Sequence, residues 1–124
     1  ARWKKLIWNV PFNGLTIILD TTTRTVMQHS ESRALAESIM HEMIDTARTL
    51  GYSIGYEFAD EMLENTETMV PYKPSMKIDF DTGRPTEIDS IFGYPLQVIK
   101  KAGLTAPRFE FLYRQLRFRE DTRK

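Results

Sequence analysis

Apolar residues recur every three or four positions along most of this 124-residue chain. Side chains with this spacing lie on one face of an α-helix. The longest such run extends from Ser30, a candidate N-cap, to Gly51, a residue type that often follows a helix C-terminus. No stretch of four or more residues alternates cleanly between apolar and polar, as a half-buried strand would. The sequence therefore predicts an all-α domain, a multi-helix bundle.

Proline, glycine and polar residues predict where the other helices begin and end. We expect a first helix that Pro11 bends or ends, a helical segment at 14–20 and a polar connection at 20–25. Further along, we expect a helix at 58–69 closed by Pro71 and Pro74, and a short helix at 76–80. A helix at 88–102 should be kinked by Gly93 and Pro95 and end at Gly103. We expect a last helix capped by Thr105, with Pro107 in its first turn, and a frayed tail at 117–124.

The composition excludes several classes of function. Lysine and arginine (17) balance aspartate and glutamate (17), so no surplus of positive charge favours nucleic acid or an anionic membrane as partner. The absence of cysteine excludes thiolate chemistry and suits a reducing cytoplasm. No apolar run approaches the roughly 18 residues of a membrane span. We expect one cytoplasmic domain at 1–124, with residues missing upstream because a helical pattern already runs at Trp3.

Three polar side chains follow helical spacing near the start of the chain. Lys5, Asn9 and Asn13 are four residues apart, which places them along one side of a continuous helix. An ammonium can donate a proton to a developing alkoxide while amides hold carboxylate or hydroxyl groups, so this row suits a carbonyl substrate. The alternative is a solvated lysine beside two asparagines that act as caps or turn residues.

A second group of polar residues precedes the helix predicted at 88–102. Thr86 could cap that helix, Glu87 would suit the positive end of its dipole, and Ser75 could cap the short helix after Pro74. His41 has carboxylates four residues away on both sides, but this arrangement is typical of a polar helix face, and we predict no metal site. The six glycines form no G-x-G-x-x-G pattern, so we predict no cofactor-binding residues in this chain.

Two stretches resemble motifs of the ketopantoate reductase family. Residues 3–13, WKKLIWNVPFN, match the pattern W-x-K-L-x-x-N-x-x-x-N. Residues 75–93 match a second pattern, S-M-x-x-D-x-x-x-G-R-x-T-E-I-D-x-I-x-G, in the same order along the chain. The resemblance continues through residues 102–107 and the helix that contains Leu112 and Tyr113. It therefore covers nearly the whole chain.

The resemblance implies a fold and a reaction. The fold is a helical bundle like the C-terminal domain of 6-phosphogluconate dehydrogenase-like reductases, which follows an N-terminal Rossmann domain that binds NADPH and is absent from this chain. The reaction is the NADPH-dependent reduction of a small-molecule 2-keto acid, 2-dehydropantoate (ketopantoate), to pantoate in pantothenate and coenzyme A biosynthesis. The resemblance also implies pairing into a homodimer through the helical domain.

Five residues match functional positions of the family. Lys5 corresponds to the general acid that protonates the C2 oxygen. Asn9 and Asn13 correspond to amides that hold the substrate and the lysine. Ser75 corresponds to a hydroxyl that contacts the substrate carboxylate, and Glu87 to an acid that accepts from a substrate hydroxyl.

The sequence departs from the family pattern at two positions. Gly14 stands where many members have proline, and Tyr72 stands where many have asparagine. These differences leave other 2-keto acids open as substrates. A different class of function also stays open, a non-enzymatic helical interaction or dimerisation domain that kept the fold and lost the chemistry. A glycine-rich nucleotide motif upstream would favour the reductase.

Overall fold

The computed structural model describes residues 2–69 and 73–123 of the chain. Pro71 and Tyr72 lie outside these ranges, and the expectations about them concern residues that are not described. The described residues form helices and no strand, which confirms the all-α prediction. In chain order the helices are α1 (Arg2–Ile18), α2 (Thr23–Gln28), α3 (Ser30–Thr49), α4 (Tyr56–Thr68), α5 (Ser75–Asp81), a π-helical turn (Asp89–Gly93) that continues into α6 (Tyr94–Lys101), and α7 (Pro107–Thr122).

Helix α1 lies at the centre of the bundle, where it packs against α2, α3, α5 and α7. The prediction that Pro11 could end this helix is wrong, since α1 continues to Ile18. A proline inside a helix costs about 3 kcal/mol. Every residue from 10 to 17 is buried, and the apolar surface that these residues remove from water offsets that cost.

Gly14 allows α1 and α7 to approach closely. A Cβ atom at this position would lie 2.5 Å from Cδ2 of Leu112 and 2.9 Å from its Cγ. Carbon atoms in contact are normally about 3.5–4.0 Å apart. A larger residue at position 14 would therefore require Leu112 to move, which gives a packing reason for the glycine.

Several helix ends differ from the expected ones. The segment at 20–25 is not wholly a connection, because α2 begins at Thr23 and the side chain of Thr22 accepts a hydrogen bond from the Thr25 N–H. Helix α3 is capped by His29 rather than Ser30, and Pro74, not Ser75, precedes α5. Gly93 and Pro95 lie in one uninterrupted run of helix from Asp89 to Lys101, which begins with the π-helical turn.

A buried glutamate caps the last helix. The residue before α7 is Ala106, and Thr105 does not cap the helix as expected. The carboxylate of Glu42, from α3, instead accepts the backbone N–H groups of Arg108 at 3.0 Å and Phe109 at 2.7 Å. These are among the first N–H groups of a helix, which have no partner within the helix itself. Glu42 thereby fixes the beginning of α7 against α3.

The last helix is longer than the sequence predicts. Helix α7 extends to Thr122, so the prediction of a frayed tail from residue 117 is wrong. The Arg123 guanidinium lies over the Phe80 ring at 4.9 Å and donates to the Phe80 carbonyl oxygen at 2.9 Å. It also donates to the carbonyl oxygen of Arg84. These contacts hold a polar segment that has little apolar surface to bury.

Two predicted helix ends are confirmed. Gly51 and Gly103 follow α3 and α6 and have φ values of 101° and 76°, a left-handed conformation that favours glycine. No helix within the described ranges is long and apolar enough to cross a membrane.

Candidate active site

An open cleft of about 420 Å³ lies between the first half of α1 and the segment where the π-helical turn continues into α6. Lys5 and Asn9 extend into it from α1, and Ser90 does so from the π-helical turn. The rest of the lining is mainly apolar. The described lining consists of Trp3, Lys5, Leu6, Asn9, Ser90, Ile91, Tyr94, Pro95 and Val98. A few polar groups within an apolar lining are typical of small-molecule sites.

The π-helical turn builds one wall of this cleft. Such turns add a residue to a helical turn and occur often at functional sites. Phe92 and Gly93 are buried, and the Phe92 ring stacks on Phe109 of α7 at 5.6 Å. Burial of these two residues holds Ser90 and Ile91 towards α1.

Lys5 is exposed at the edge of the cleft. Across the described ranges, its ammonium group has no ion-pair partner. Its neighbour Lys4 is also exposed, but the Lys4 ammonium lies over the Phe58 ring at 5.4 Å. The two adjacent lysines thus have different surroundings, and only Lys5 lines the cleft.

Asn13 lies deeper than the other two residues of the α1 row. Its side chain is buried, and its Oδ1 atom accepts the backbone N–H of Met76 at 3.2 Å. This bond satisfies one of the first N–H groups of α5 and ties that helix to α1. Ser75, the first residue of α5, is exposed beside it.

Glu87 is exposed, just before the π-helical turn, and its carbonyl oxygen accepts from the Ile91 N–H at 3.2 Å. Thr86 donates its hydroxyl to Glu120 at 2.8 Å and does not cap the following helix. The cleft therefore brings together Lys5 and Asn9 of the expected residues. Asn13, Ser75 and Glu87 are not among its described lining residues.

A buried lysine that the sequence analysis did not select holds α5 against the end of α1. The Lys77 side chain is 2% exposed, and its ammonium donates to Asp20 at 2.6 Å and to Asp81 at 2.7 Å. Burial alone would lower the pKa of Lys77, but the two carboxylates outweigh it and raise that pKa. The hydrogen bond from Lys77 lowers the pKa of both Asp20 and Asp81.

This network predicts a pH-dependent contribution to stability. Because the pKa of Asp81 is lower in the folded state, its ion pair stabilises the fold above the ordinary aspartate pKa of about 4 and is lost as the pH falls through the folded value. Asp81→Asn should therefore destabilise the protein clearly at pH 7 and by a smaller amount at about pH 3. Urea unfolding at both pH values tests this, and an equal loss at the two pH values would contradict it.

The other residues that the sequence analysis missed lie opposite α1. Ser90 and Tyr94 are one helical turn apart, and both line the cleft. Their spacing is a signal in the sequence, but only the packing of the π-helical turn beside α1 shows that they face Lys5.

His41 lies on α3 beside an aromatic ring and a carboxylate. Its ring packs on Tyr56 at 4.6 Å, and its Nε2 atom lies 3.9 Å from the Glu37 carboxylate. Among the residues that the structure describes, no group of three or more potential ligands could hold a metal ion.

Comparisons with known proteins agree with the fold. Residues 1–120 match the family described as "Ketopantoate reductase PanE/ApbA C terminal". The chain is 42% identical to a 2-dehydropantoate 2-reductase from Nostoc sp., over 95% of this chain and 37% of that protein.

Solved structures are similar over nearly the whole chain. A 2-dehydropantoate 2-reductase from Geobacter metallireducens has a TM-score of 0.90 and 43% identity, covering 94% of this chain and 40% of that one. D-mandelate dehydrogenase in a ternary structure with NADH and anilino(oxo)acetate has a TM-score of 0.83 and 27% identity, covering 97% of this chain and 67% of that one.

The chain spans well under half the length of the 2-dehydropantoate 2-reductases that it matches. The family match nevertheless covers all but the last few residues of the chain, and the helical structure agrees with it. The chain belongs to the family of ketopantoate reductase C-terminal domains.

Proposed function

We propose that this chain supplies the substrate contacts and the proton donor of an NADPH-dependent 2-keto-acid reductase, with 2-dehydropantoate as substrate and pantoate as product. This is a reaction of pantothenate and coenzyme A biosynthesis. The observation that carries the proposal is the position of Lys5, an exposed ammonium without an ion-pair partner in the described ranges, beside Asn9 and Ser90 in an otherwise apolar cleft.

The proposed chemistry moves one hydride and one proton. Addition of hydride to the C2 carbonyl carbon converts the carbonyl oxygen to an alkoxide. The Lys5 ammonium donates a proton to that oxygen, which gives the 2-hydroxy acid and leaves a neutral amine. Because Lys5 is exposed, the amine can take up a proton from water before the next turnover.

The neighbouring polar groups orient the substrate. The Asn9 amide and the Ser90 hydroxyl can donate hydrogen bonds to the substrate carboxylate within the cleft. Asn13 would act indirectly, because its bond to Met76 positions α5 and the Ser75 hydroxyl. Ser75 would contact the substrate carboxylate and Glu87 would accept from a substrate hydroxyl, both from outside the described lining of the cleft.

The hydride would come from NADPH held by another part of the protein. The glycines at 14, 51, 55, 83, 93 and 103 form no dinucleotide-binding pattern, so the residues of this chain do not fit the pyrophosphate of such a cofactor. We assign cofactor binding to a Rossmann domain that precedes residues 1–124. The cleft would then lie at the boundary between the two domains. We also propose that the protein is cytoplasmic and acts as a homodimer.

A substrate survey tests this function. The full-length protein is mixed with NADPH and a series of 2-keto acids that includes 2-dehydropantoate, and NADPH oxidation is followed by absorbance. We expect turnover of 2-dehydropantoate and of few others. Absence of turnover with every 2-keto acid would contradict the proposal and favour a helical interaction domain without reductase chemistry.

The effect of Glu87→Ala should depend on which 2-keto acid is the substrate, more than the effect of a change at Lys5 does. If the Glu87 carboxylate accepts a hydrogen bond from the substrate hydroxyl, its loss raises KM and lowers kcat for 2-dehydropantoate. The penalty should be smaller for a 2-keto acid that lacks this hydroxyl. Steady-state kinetics with both substrates measure the difference. Equal penalties for the two substrates would show that Glu87 does not bind the substrate hydroxyl. Glu61→Ala, on the outer surface of α4, is the control and should leave the kinetics unchanged.

A further inference from the structure

Two exposed apolar side chains line the candidate cleft from α6. Tyr94 is 59% exposed and Val98 is 49% exposed. They follow Ser90 at intervals of four residues, so the three side chains form a row along the side of the helix that lines the cleft. The other side of α6 buries Leu96 and Ile99 in the core. The row is therefore not part of the core packing of the domain.

Tyr94 and Val98 have apolar surface that a bound molecule could cover. The other apolar residues of the described lining are already buried or half-buried by the domain itself. Within the described ranges, the Tyr94 ring packs on no other ring, and its hydroxyl group makes no hydrogen bond. Removal of apolar surface from water is favourable. A ligand that reaches these two side chains therefore gains affinity from them.

The chemistry of a 2-keto acid indicates which part of the molecule reaches this row. In the proposed function, on which this step rests, the C2 oxygen faces Lys5, and Asn9 and Ser90 bind the carboxylate. C2 is a planar carbon with three substituents, and the third is the carbon side chain. Since the other polar groups of the cleft are then occupied, the side chain must lie against the remaining lining, which is apolar except for the Tyr94 hydroxyl.

We propose that Tyr94 and Val98 contact the carbon side chain of the substrate and select 2-keto acids by the size of that group. A tyrosine ring is rigid and can cover an apolar group while its hydroxyl stays in water. The cleft volume of about 420 Å³ is near the lower end of the roughly 300–1,000 Å³ that is usual for ligand sites. The row therefore favours a compact, branched side chain and disfavours a bulky aromatic one.

A change of substrate preference tests the role of Tyr94 in the full-length protein. Tyr94→Ala removes the ring, so kcat/KM for 2-dehydropantoate should fall by about 10–100-fold, mainly through a higher KM. The space that the ring leaves should admit phenylpyruvate, a bulkier 2-keto acid, so the ratio of the two kcat/KM values should shift towards phenylpyruvate. Tyr94→Phe keeps the ring and should keep the parent ratio. Tyr56→Ala is the matched control, since Tyr56 is also an exposed tyrosine at the first position of a helix.

Val98→Phe tests the row in the opposite direction. The larger side chain narrows the cleft, so kcat/KM for 2-dehydropantoate should fall by about 10-fold or more. Pyruvate has only a methyl group in place of the side chain and should lose little. Because Val98 is half exposed, the substitution should leave the fold intact. Leu35→Phe, at a leucine of α3 that is 48% exposed, is the control and should not change the ratio of the two substrates.

A binding measurement keeps the inference testable if the protein reduces no 2-keto acid. Oxamate and its N-phenyl derivative carry the carboxylate and carbonyl of a 2-keto acid, and their amide carbonyl resists hydride addition. Both are titrated calorimetrically into the full-length protein with and without NADPH. Tyr94→Ala should shift the ratio of the two affinities towards the N-phenyl derivative by about 10-fold.

The outcomes separate this inference from the proposed function. An unchanged substrate ratio in Tyr94→Ala or in Val98→Phe, with turnover of 2-dehydropantoate by the parent protein, would overturn the inference alone. It would indicate that the preceding domain, and not the substrate, covers the row. Absence of turnover together with binding of the analogues that depends on Tyr94 would contradict only the proposed reaction. Absence of both turnover and binding would contradict both.

Discussion

Lys5→Ala in the full-length protein should lower kcat by about 10²–10⁴-fold, the usual contribution of a positioned general acid. This factor corresponds to roughly 3–5 kcal/mol of activation free energy. The affinity for NADPH should hardly change, because the proposed cofactor site lies on the other domain. Steady-state kinetics with 2-dehydropantoate and NADPH measure kcat, and a fluorescence titration measures cofactor affinity.

The adjacent lysine provides a matched control for this prediction. Lys4→Ala removes the same charge one residue away but leaves the cleft lining intact, since Lys4 lies over the Phe58 ring. It should retain near-normal kcat. If Lys5→Ala also retains it, or if the two variants lose activity equally, Lys5 is a solvated lysine and the proposed proton donor is wrong.

Glu42→Ala should lower the free energy of unfolding by about 2–5 kcal/mol, the largest loss of stability among the proposed variants. The Glu42 carboxylate is buried and accepts two backbone N–H groups at the start of α7. Hydrogen bonds to a charged group contribute about 1.5–3 kcal/mol each, and the variant leaves both donors without this acceptor. Urea unfolding of the parent and variant proteins at pH 7 measures the change.

The conservative change at the same position separates the capping role from simple packing. Glu42→Gln keeps one acceptor oxygen and nearly the same volume, so it should lose less stability than Glu42→Ala. Glu61→Ala, which removes an exposed glutamate, should change stability by less than about 0.5 kcal/mol. A loss at Glu42 no larger than at Glu61 would show that the interhelical cap contributes nothing.

Local sequence patterns predicted the fold class and part of the candidate site. The three-and-four spacing of apolar residues indicates helices because it depends only on neighbours within two turns. The same local geometry placed Lys5 and Asn9 on one side of α1. The motif resemblance added Ser75 and Glu87, whose roles stay predictions.

Features that depend on distant contacts could not be predicted in this way. Glu42 caps a helix 66 residues further along the chain, whereas the local sequence favours Thr105, which lies two positions before that helix. The last turns of α7 are held by contacts of Arg123 with Phe80 and its carbonyl oxygen. Ser90 and Tyr94 face Lys5 only because the π-helical turn packs beside α1.

A crystal structure of the full-length protein with oxidised cofactor and the 2-hydroxy-acid product tests the proposed role of Lys5 directly. We expect the product in the cleft between α1 and α6, with its C2 hydroxyl oxygen about 2.6–3.2 Å from the Nζ atom of Lys5. We also expect hydrogen bonds from Asn9 or Ser90 to the product carboxylate. Product bound away from this cleft, or a Lys5 side chain that points into solvent in the complex, would contradict the proposed role.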